Sequence, residues 1–448
     1  MGASGLLALL LLAAGTRSVE PAQPESLAIT GVTIIDVTGG PVRRGMTVVI
    51  RGGRIAAIES DSGGAAVTGA RRIPGRGKFL IPGLWDMHVH LSWSKGNALP
   101  ALVANGITGV RDMGGSLPEI DGWRTLISAG ILRGPRILRV GPILNGQKFN
   151  AYQMVPGNPD ETRGVARALK EAGVDFLKVH RRLPRDSYFA LIDEAKRLGL
   201  SVVGHIPMTV TPEEASDAGQ ATLEHTETLF EGTFTAGLKD ENLADAIRRF
   251  RAEAGEKLFA RFVANHTVVT PTLAPYRSYV ESLDPALPPD PHLRYVAQSF
   301  RKEAEKTAKP ATEAELAELK RTFAELREVV GQMIRSGVTI MTGTDLAATR
   351  VPGFPLHDEL ALLVDAGATP LQALAAATWT PARIVKKVDE LGTVEVGKLA
   401  DLVLLDANPL EDIRNTRRIS AVVLAGKLLD RRALDALLEE AERQAARN

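Results

Sequence analysis

The sequence predicts an α/β fold, a (β/α)8 barrel carrying a small β-sandwich domain formed from both chain ends. Three observations lead there. Eight short apolar runs alternate with helix-like patterns over about 300 residues, a spacing that suits a barrel better than an open doubly wound sheet. Short strand patterns also cluster before and after that stretch. Finally, four of the eight histidines fall at the C-terminal ends of predicted strands, the end at which barrels carry their chemistry. A length of 448 residues suits two or three domains, or one large barrel with an accessory piece.

At the start of the chain, Leu6–Ala14 is an uninterrupted apolar run with small Ala13 and Gly15 beside it. It falls short of the roughly 20 residues that span a bilayer, so residues 1–18 predict a cleavable secretory signal and a periplasmic or secreted protein. Only the N-terminal amine supplies positive charge before the run, which is the weak point of that reading. No later stretch predicts a membrane anchor. Ile29–Val37 reads as a strand, and Thr47–Arg51 and Arg54–Glu59 as a hairpin joined by Gly52 and Gly53. Ala400–Leu405 and Ser420–Ala425 are again strand-like, punctuated by Gly397 and Gly426. Residues 27–80 and 391–430 therefore make one discontinuous β domain, followed by a C-terminal helix over 431–448.

Residues 81–390 make the barrel. Its predicted strands are Gly83–His88, Ile107–Arg111, Arg136–Gly141, Val174–Val179, Ser201–His205, Ala221–His225, Thr267–Pro271 and Val338–Gly343. Between the fourth and fifth, Arg185–Leu198 places Phe189, Ile192, Ala195 and Leu198 at helical spacing. The interval Arg277–Gly337 is longer than a barrel requires. Its charged Arg301–Arg327 stretch reads as added helices, with Pro285–Pro291 as a loop before them, either covering the site or forming a solvated structural pair.

Composition removes several function classes. With 54 Lys+Arg against 53 Asp+Glu the net charge is +1, which argues against a dedicated nucleic-acid or anionic-membrane binder. Cys is absent, so disulfides, Cys-ligated zinc, iron–sulfur centres and thiol nucleophiles are excluded. There is no Gly-x-Ser-x-Gly elbow and no phosphate-cradling Gly-x-x-x-x-Gly-Lys loop.

The strongest chemical signal is Ile81-Pro82-Gly83-Leu84-Trp85-Asp86-Met87-His88-Val89-His90. Residues two apart on a strand share a side, so His88 and His90 can present two neutral imidazoles to a divalent metal. Lys178, His205, His225 and Asp345 end or follow later strands. Singly, each has an ordinary alternative: a solvent-facing lysine, a hydrogen-bonded core histidine, an aspartate capping a helix. It is their shared location that points to a metal site. Arg111, Tyr152, His180, Arg181, Tyr276 and Arg350 are candidate substrate contacts from post-strand loops, each as readily an ordinary surface residue. Asn145, Gln147 and Lys148 are similarly placed, and Asp112 could orient a ligand histidine or cap a turn.

The Pro-Gly-x-x-Asp-x-His-x-His opening, the strand-ending lysine, two later histidines and a final aspartate together resemble the amidohydrolase superfamily. The nearest subgroup is the imidazolonepropionase-like hydrolases, which include Xaa-Pro-type dipeptidases. The resemblance runs from about Ile29 to Leu429 and includes Gly397-Lys398-Leu399-Ala400-Asp401-Leu402-Val403 near the returning β domain. It implies two divalent metal ions, zinc by preference. His88, His90 and Asp345 would hold one, and His205 and His225 the other, bridged by a CO2-derived carbamate on Lys178. Single-metal deaminases of the superfamily usually lack that lysine. Relatives often carry an aromatic residue where this chain has His180, whose role as substrate contact, extra ligand or loop residue stays open. The implied reaction is hydrolysis of an amide bond, in a dipeptide or N-acyl amino acid, by a metal-bridging hydroxide with Asp345 as base and then acid. The alternatives are a lactone, cyclic amide or phosphotriester hydrolase on the same site, and a catalytically silent barrel serving as a binding or assembly protein. A symmetric homo-oligomer and a small-molecule substrate are also implied.

Overall fold

The structure is a computed structural model that describes residues 26–60, 68–238, 241–307 and 311–448. The signal segment expected at 1–18 lies outside them. Among the described residues no helix is long and apolar enough to cross a membrane.

Alternating Val, Ile and Thr residues fold the beginning of the chain into a hairpin, Arg43–Arg51 against Arg54–Ser60, with Arg51 opposite Arg54. Gly52 and Gly53 form the turn at φ 56° and 78°, the left-handed pair that matches strand twist and that glycine adopts without steric cost. Leu27–Ile34 pairs with this hairpin on one side and with Phe79–Pro82 on the other. The returning end of the chain then joins. Leu402–Leu405 runs antiparallel to Phe79–Pro82, and Ile419–Leu424 and Lys427–Asp430 extend the same sheet. With Arg71–Pro74 also on Leu27–Ile34, eight strands share one hydrogen-bonded sheet. Leu27, Ile29, Val48 and Ile50 from one end and Leu402, Leu404 and Val423 from the other form one apolar cluster, so neither end has this core alone.

All eight runs expected as barrel strands are strands. Leu84–Val89, Ile107–Asp112 and Arg136–Arg139 form one parallel sheet. Phe176–Val179, Ser201–Gly204, Thr222–Glu224, Val268–Thr270 and Thr339–Ile340 form another, parallel and in chain order. Backbone hydrogen bonds cross both seams between these sheets: Asp175 N–H donates to Arg139 O at 2.8 Å, and Met87 N–H to Thr342 O at 3.0 Å. A short strand pair the sequence did not announce, Ile143–Leu144 with Gln153–Met154, lies beside the strand that carries Lys178, Leu144 pairing with Val179.

Helices cover the strands with apolar faces inward and conventional ends. Thr211 caps Pro212–Ala218, accepting from Glu214 N–H while Glu214 reaches back to the Thr211 amide. The helix Arg185–Leu198 stops at Gly199, φ 66°. Its buried stripe is Tyr188, Leu191, Ile192 and Ala195, while Phe189 and Leu198 are only partly buried. The inward face is thus turned by one residue from the expected one, because Tyr188 is drawn inside by its hydroxyl hydrogen bond to Gln220.

The interval 277–337 divides in two. Glu313–Arg335 is a long helix that buries Leu326, Val329, Val330 and Met333, so its second half belongs to the apolar layer rather than to a solvated addition. Leu273–Ser282 also packs inward. What remains, a turn of helix at Pro291–Tyr295 and the helix Gln298–Thr307, lies against the loops after the first and last strands. There Tyr295, Ala297 and Phe300 share a narrow cleft with Asn97, Leu346 and Arg350. The last helix, Arg431–Arg447, buries Leu434, Leu437, Ala441 and Ala445 on one face.

Candidate metal centre

Alternation along Leu84–Val89 turns Asp86 and His88 to the same side, and His90 follows just past the strand. Asp86 sets the local backbone: one oxygen accepts from the amides of His88 (3.2 Å) and Thr344 (3.0 Å), the other from the Thr344 hydroxyl at 2.6 Å. This ties the first strand to the loop that carries Asp345. His88 Nε2 then stands 3.3 Å, and His90 Nε2 3.4 Å, from Asp345 Oδ1.

The other nitrogen of each ring is already committed. His88 Nδ1 lies 2.9 Å from Glu224 Oε2, and His90 Nδ1 3.2 Å from the Gly114 carbonyl. Both partners are acceptors, so each Nδ1 carries the proton and each Nε2 presents a lone pair. His225 Nδ1 is similarly 2.8 Å from Thr272 Oγ1. The His88 and His225 ring centroids are 4.5 Å apart, and those of His205 and His225 4.7 Å. One ligand atom each from His88, His225 and Asp345 lies within 4.8 Å of the others, a set able to hold a cation.

Lys178 lies beneath this group, fully buried. Among the described residues its Nζ has no hydrogen-bond partner, and neither do His88 Nε2, His205 Nδ1 and His180 Nδ1. Gly204 makes room for the lysine: at φ 125°, a Cβ there would stand 2.3 Å from Val179 O and 2.8 Å from Lys178 Cδ. Buried polar atoms without partners are costly and scarce. These four belong to side chains linked by ring contacts and by the Lys178 charge, and a bound cation would satisfy them, since metal cations suit imidazole lone pairs and a carboxylate. Burial and the nearby Lys178 charge hold His180 down to about 3 and keep His88 and His205 well below the usual imidazole value. Burial likewise brings His225 down to about 4 and Lys178 to about 8. The imidazoles are therefore neutral at pH 7, the form that ligates. His225 (φ 67°) and Asp345 (φ 47°) both occupy the left-handed region that non-glycine residues avoid, strain of the kind found at functional sites.

The sequence did not single out the base of the site. Glu224, fully buried, joins His88 to Arg111, whose Nη2 is 2.7 Å away. Burial opposes ionisation of Glu224, but Arg111 and His88 outweigh it and hold the carboxyl below its ordinary range. Arg111 is thus not the contact at the mouth that its loop position suggested. It lies inside, with Nε donating to Met87 O at 2.7 Å and Nη1 to Thr222 Oγ1 at 3.2 Å. The pairing of Thr222 and Glu224 on one side of a three-residue strand is the signal that could have shown the acid facing inward.

The remaining candidates are placed as follows. Asp112 caps turns, accepting from Leu91 N–H (2.8 Å) and Gly114 N–H (3.1 Å), and so steadies the carbonyl that His90 uses. Arg350 donates to the backbone carbonyl of Asp345 at 2.8 Å and pairs with its carboxylate. Burial opposes ionisation of Asp345, but Arg350 and His225 keep it well below the usual value. His180 stacks on His205 with centroids 4.2 Å apart. Tyr152 donates to Ser92 O at 3.2 Å and stands 6.2 Å from Trp93, a residue the sequence reading passed over that stacks on His90 at 4.4 Å. Tyr276 stacks on Phe323, and Arg181 pairs with Glu231 at 3.1 Å. Asn145 pins Arg182 through its backbone N–H at 3.0 Å, and the Asn145 side chain also reaches Gln147 O at 3.0 Å.

Known proteins resemble this chain over nearly its whole length. A 5-methylthioadenosine/S-adenosylhomocysteine deaminase from Symbiobacterium thermophilum is 24% identical over 424 residues, 86% of this chain and 86% of that protein. Among solved structures, a candidate prolidase from Bifidobacterium longum superposes with a TM-score of 0.68 at 28% identity, covering 94% of this chain and 99% of that one. The bottromycin amidohydrolase superposes with a TM-score of 0.77 at 23% identity, covering 95% and 91%. The family model for the amidohydrolases matches residues 79–429, from the junction strand Phe79–Pro82 through the returning β strands. The chain belongs to the amidohydrolase family.

Proposed function

We propose that the protein is a two-metal hydrolase of amide bonds, acting on a dipeptide or an N-acyl amino acid. The observation that carries this is a set of buried atoms without hydrogen-bond partners among the described residues, His88 Nε2, Lys178 Nζ and His205 Nδ1, beside a group in which His88 and His90 approach Asp345 and His88, His225 and Asp345 can share a cation. In this reading His88, His90 and Asp345 hold one divalent cation, zinc by preference, and His205 and His225 hold the other. Lys178 would help to hold both if its neutral amine added CO2 and lost a proton, since a carbamate offers two anionic oxygens where an ammonium would repel both ions. When bound, the cations supply an acidified water and polarise the scissile carbonyl.

The chain's own residues do the rest. Asp345 accepts the proton of the attacking water and returns it to the departing amine. Glu224, kept ionised by Arg111, holds His88 in the ligating tautomer. His180, Tyr152, Tyr276 and Arg350 are the proposed substrate contacts, Arg350 suiting an anionic end of the substrate. The eight parallel strands, hydrogen-bonded across both seams, support a closed (β/α)8 barrel over 81–390, with 27–80 and 391–430 as the companion β domain. We further propose export through residues 1–18 and assembly as a homo-oligomer.

A prolidase-like activity is supported by the likeness to the Bifidobacterium longum protein at 28% identity. Deamination is the second reading, because the Symbiobacterium relative is a deaminase along 86% of this chain. Lys178 favours the two-metal hydrolase, as single-metal deaminases of this superfamily usually lack it. The test is metal analysis of the purified protein with a screen of dipeptides, N-acyl amino acids, lactones, phosphotriesters and aminopurine nucleosides. About two metals per chain with turnover of the first two classes is expected. Turnover confined to the others overturns the amidase reading, and a chain that takes up no metal points instead to a binding protein.

A further inference from the structure

Glu359 is a fully buried acid that the proposed reaction does not use. It sits on the helix Phe354–Asp365 among Leu273, Leu356, Leu360 and Leu363, surroundings in which a carboxyl group is costly. One oxygen accepts the Ala274 backbone N–H at 2.7 Å, and the Leu273 amide faces the same carboxyl. These two amides open the helix Leu273–Ser282, where orphaned N–H groups need an acceptor.

The residue just before them is Thr272, at φ 51° and ψ 49°. A β-branched side chain in the left-handed region is a strained choice that persists only when its surroundings impose it. Here the reward for that strain is the position of one hydroxyl. Thr272 Oγ1 donates to the Pro271 carbonyl at 2.8 Å, so its oxygen is left to accept from His225 Nδ1, also at 2.8 Å. His225 is thereby protonated at Nδ1 and presents Nε2. The neighbouring carbonyls of Thr270 and Pro271 hold the amides of His225 (2.9 Å) and Thr226 (3.1 Å), so the loop fixes both the backbone and the ring.

We infer that Glu359 is a positioning residue for His225, acting through the Leu273–Ala274 amides and the strained Thr272 turn without touching metal or substrate. The rival reading, a counter-ion for Arg277, is poorer: Arg277 is already paired with Asp358 and Glu281. Burial pushes the Glu359 carboxyl up to about 8, so a neutral amide is its faithful mimic.

This inference rests on the reading of His225 as a metal ligand, and its test works with and without metal. In metal-free full-length protein with 15N-labelled histidine, the tautomer of His225 is read directly by NMR. In zinc titrations against a chelator, the weaker of the two sites is measured. Wild type and Glu359→Gln should show His225 protonated at Nδ1 and the same zinc affinities. Glu359→Leu should mix the tautomers and weaken one site by about 10–100-fold, the usual cost of losing a group that orients a ligand. Thr272→Val should do the same and Thr272→Ser should not, and should Glu359→Leu fail to fold, Glu359→Met, which also removes both acceptor oxygens, takes its place. An unchanged tautomer and affinity in Thr272→Val, or in a folded Glu359→Leu, overturns the inference. Wild type that binds no zinc would sink the metal-centre reading, and the tautomer measurement would still judge this one.

Discussion

The sheet that joins the two chain ends and the rim that gathers the histidines are built on opposite rules. Among the described residues, no strand of the sheet carries a buried side-chain polar atom without a partner, whereas His88, Lys178, His180 and His205 at the rim each carry one. The sheet has Val48, Ile50, Leu402 and Leu404 packed in one cluster, with a hairpin turn that glycine makes without strain. The rim has three non-glycine residues at left-handed φ, His225, Thr272 and Asp345, where the described turns of the sheet have Ala425 alone, and it has an aspartate close to three imidazoles. A region that only had to be stable would resemble the sheet. Buried donor atoms left free cost stability, the pattern expected of a binding site.

The contrast can be broken most sharply at Asp345. Asp345→Asn keeps an oxygen for the metal but cannot shuttle a proton, so turnover should fall on the order of a hundred- to ten-thousandfold with metal content largely intact. Steady-state kinetics beside elemental analysis measures this, and full activity would show the role to be misassigned. The opposite expectation holds in the sheet. Leu404 is 2% exposed, and Leu404→Ala should cost about 2–5 kcal/mol in urea unfolding while leaving kcat per folded molecule unchanged. A matching fall in kcat would mean that the two regions are coupled after all.

Lys178 offers a subtler separation. In metal-free protein its amine is buried and, among the described residues, unpaired, so Lys178→Met, of similar length and flexibility, should raise stability by about 1–3 kcal/mol as it abolishes activity. Loss of stability in that variant would mean that the lysine has a partner the fold depends on, and the contrast would fail at its centre.

How much of this was legible in the sequence follows from the range of the forces involved. The eight strands expected of a barrel and the Gly52–Gly53 hairpin are local patterns of side-chain alternation and turn chemistry, and all lie where the sequence predicts strands and a turn. The residues that meet around Asp345 were legible because they end or follow parallel strands paired in chain order, so order along the chain predicts nearness in space. Glu224, Arg111 and Glu359 were not, since each owes its role to a partner far away in sequence: Arg111 to Glu224, and Glu359 to Ala274. Arg111 was even placed at the mouth, because its position after a strand cannot reveal which way a side chain turns once an internal acid attracts it. Helices do occupy the expected Arg301–Arg327 stretch, within Gln298–Thr307 and Glu313–Arg335, but the charged first half of Glu313–Arg335 hides the apolar face that its second half buries.

The effect confined to a single titrating group concerns the pH dependence of stability. Glu359 ionises near the ordinary 4.5 in the unfolded chain but near 8 when folded, because burial disfavours the charge. Between those values the unfolded state releases a proton that the folded state retains, so stability contributed by this group is present below about 4.5 and is lost as pH rises to about 8. The slope cannot exceed that of one proton, about 1.4 kcal/mol per pH unit. Glu359→Gln removes the titration, so urea midpoints measured from pH 5 to pH 8 should decline less in the variant than in the wild type. Leu404→Ala, in a sheet whose core cluster is wholly aliphatic, should instead run parallel to the wild type across the same range. If Glu359→Gln also ran parallel, the carboxyl would have to be ionised inside the fold, and the buried acid would be sustained by a charge partner rather than by the two amides it faces.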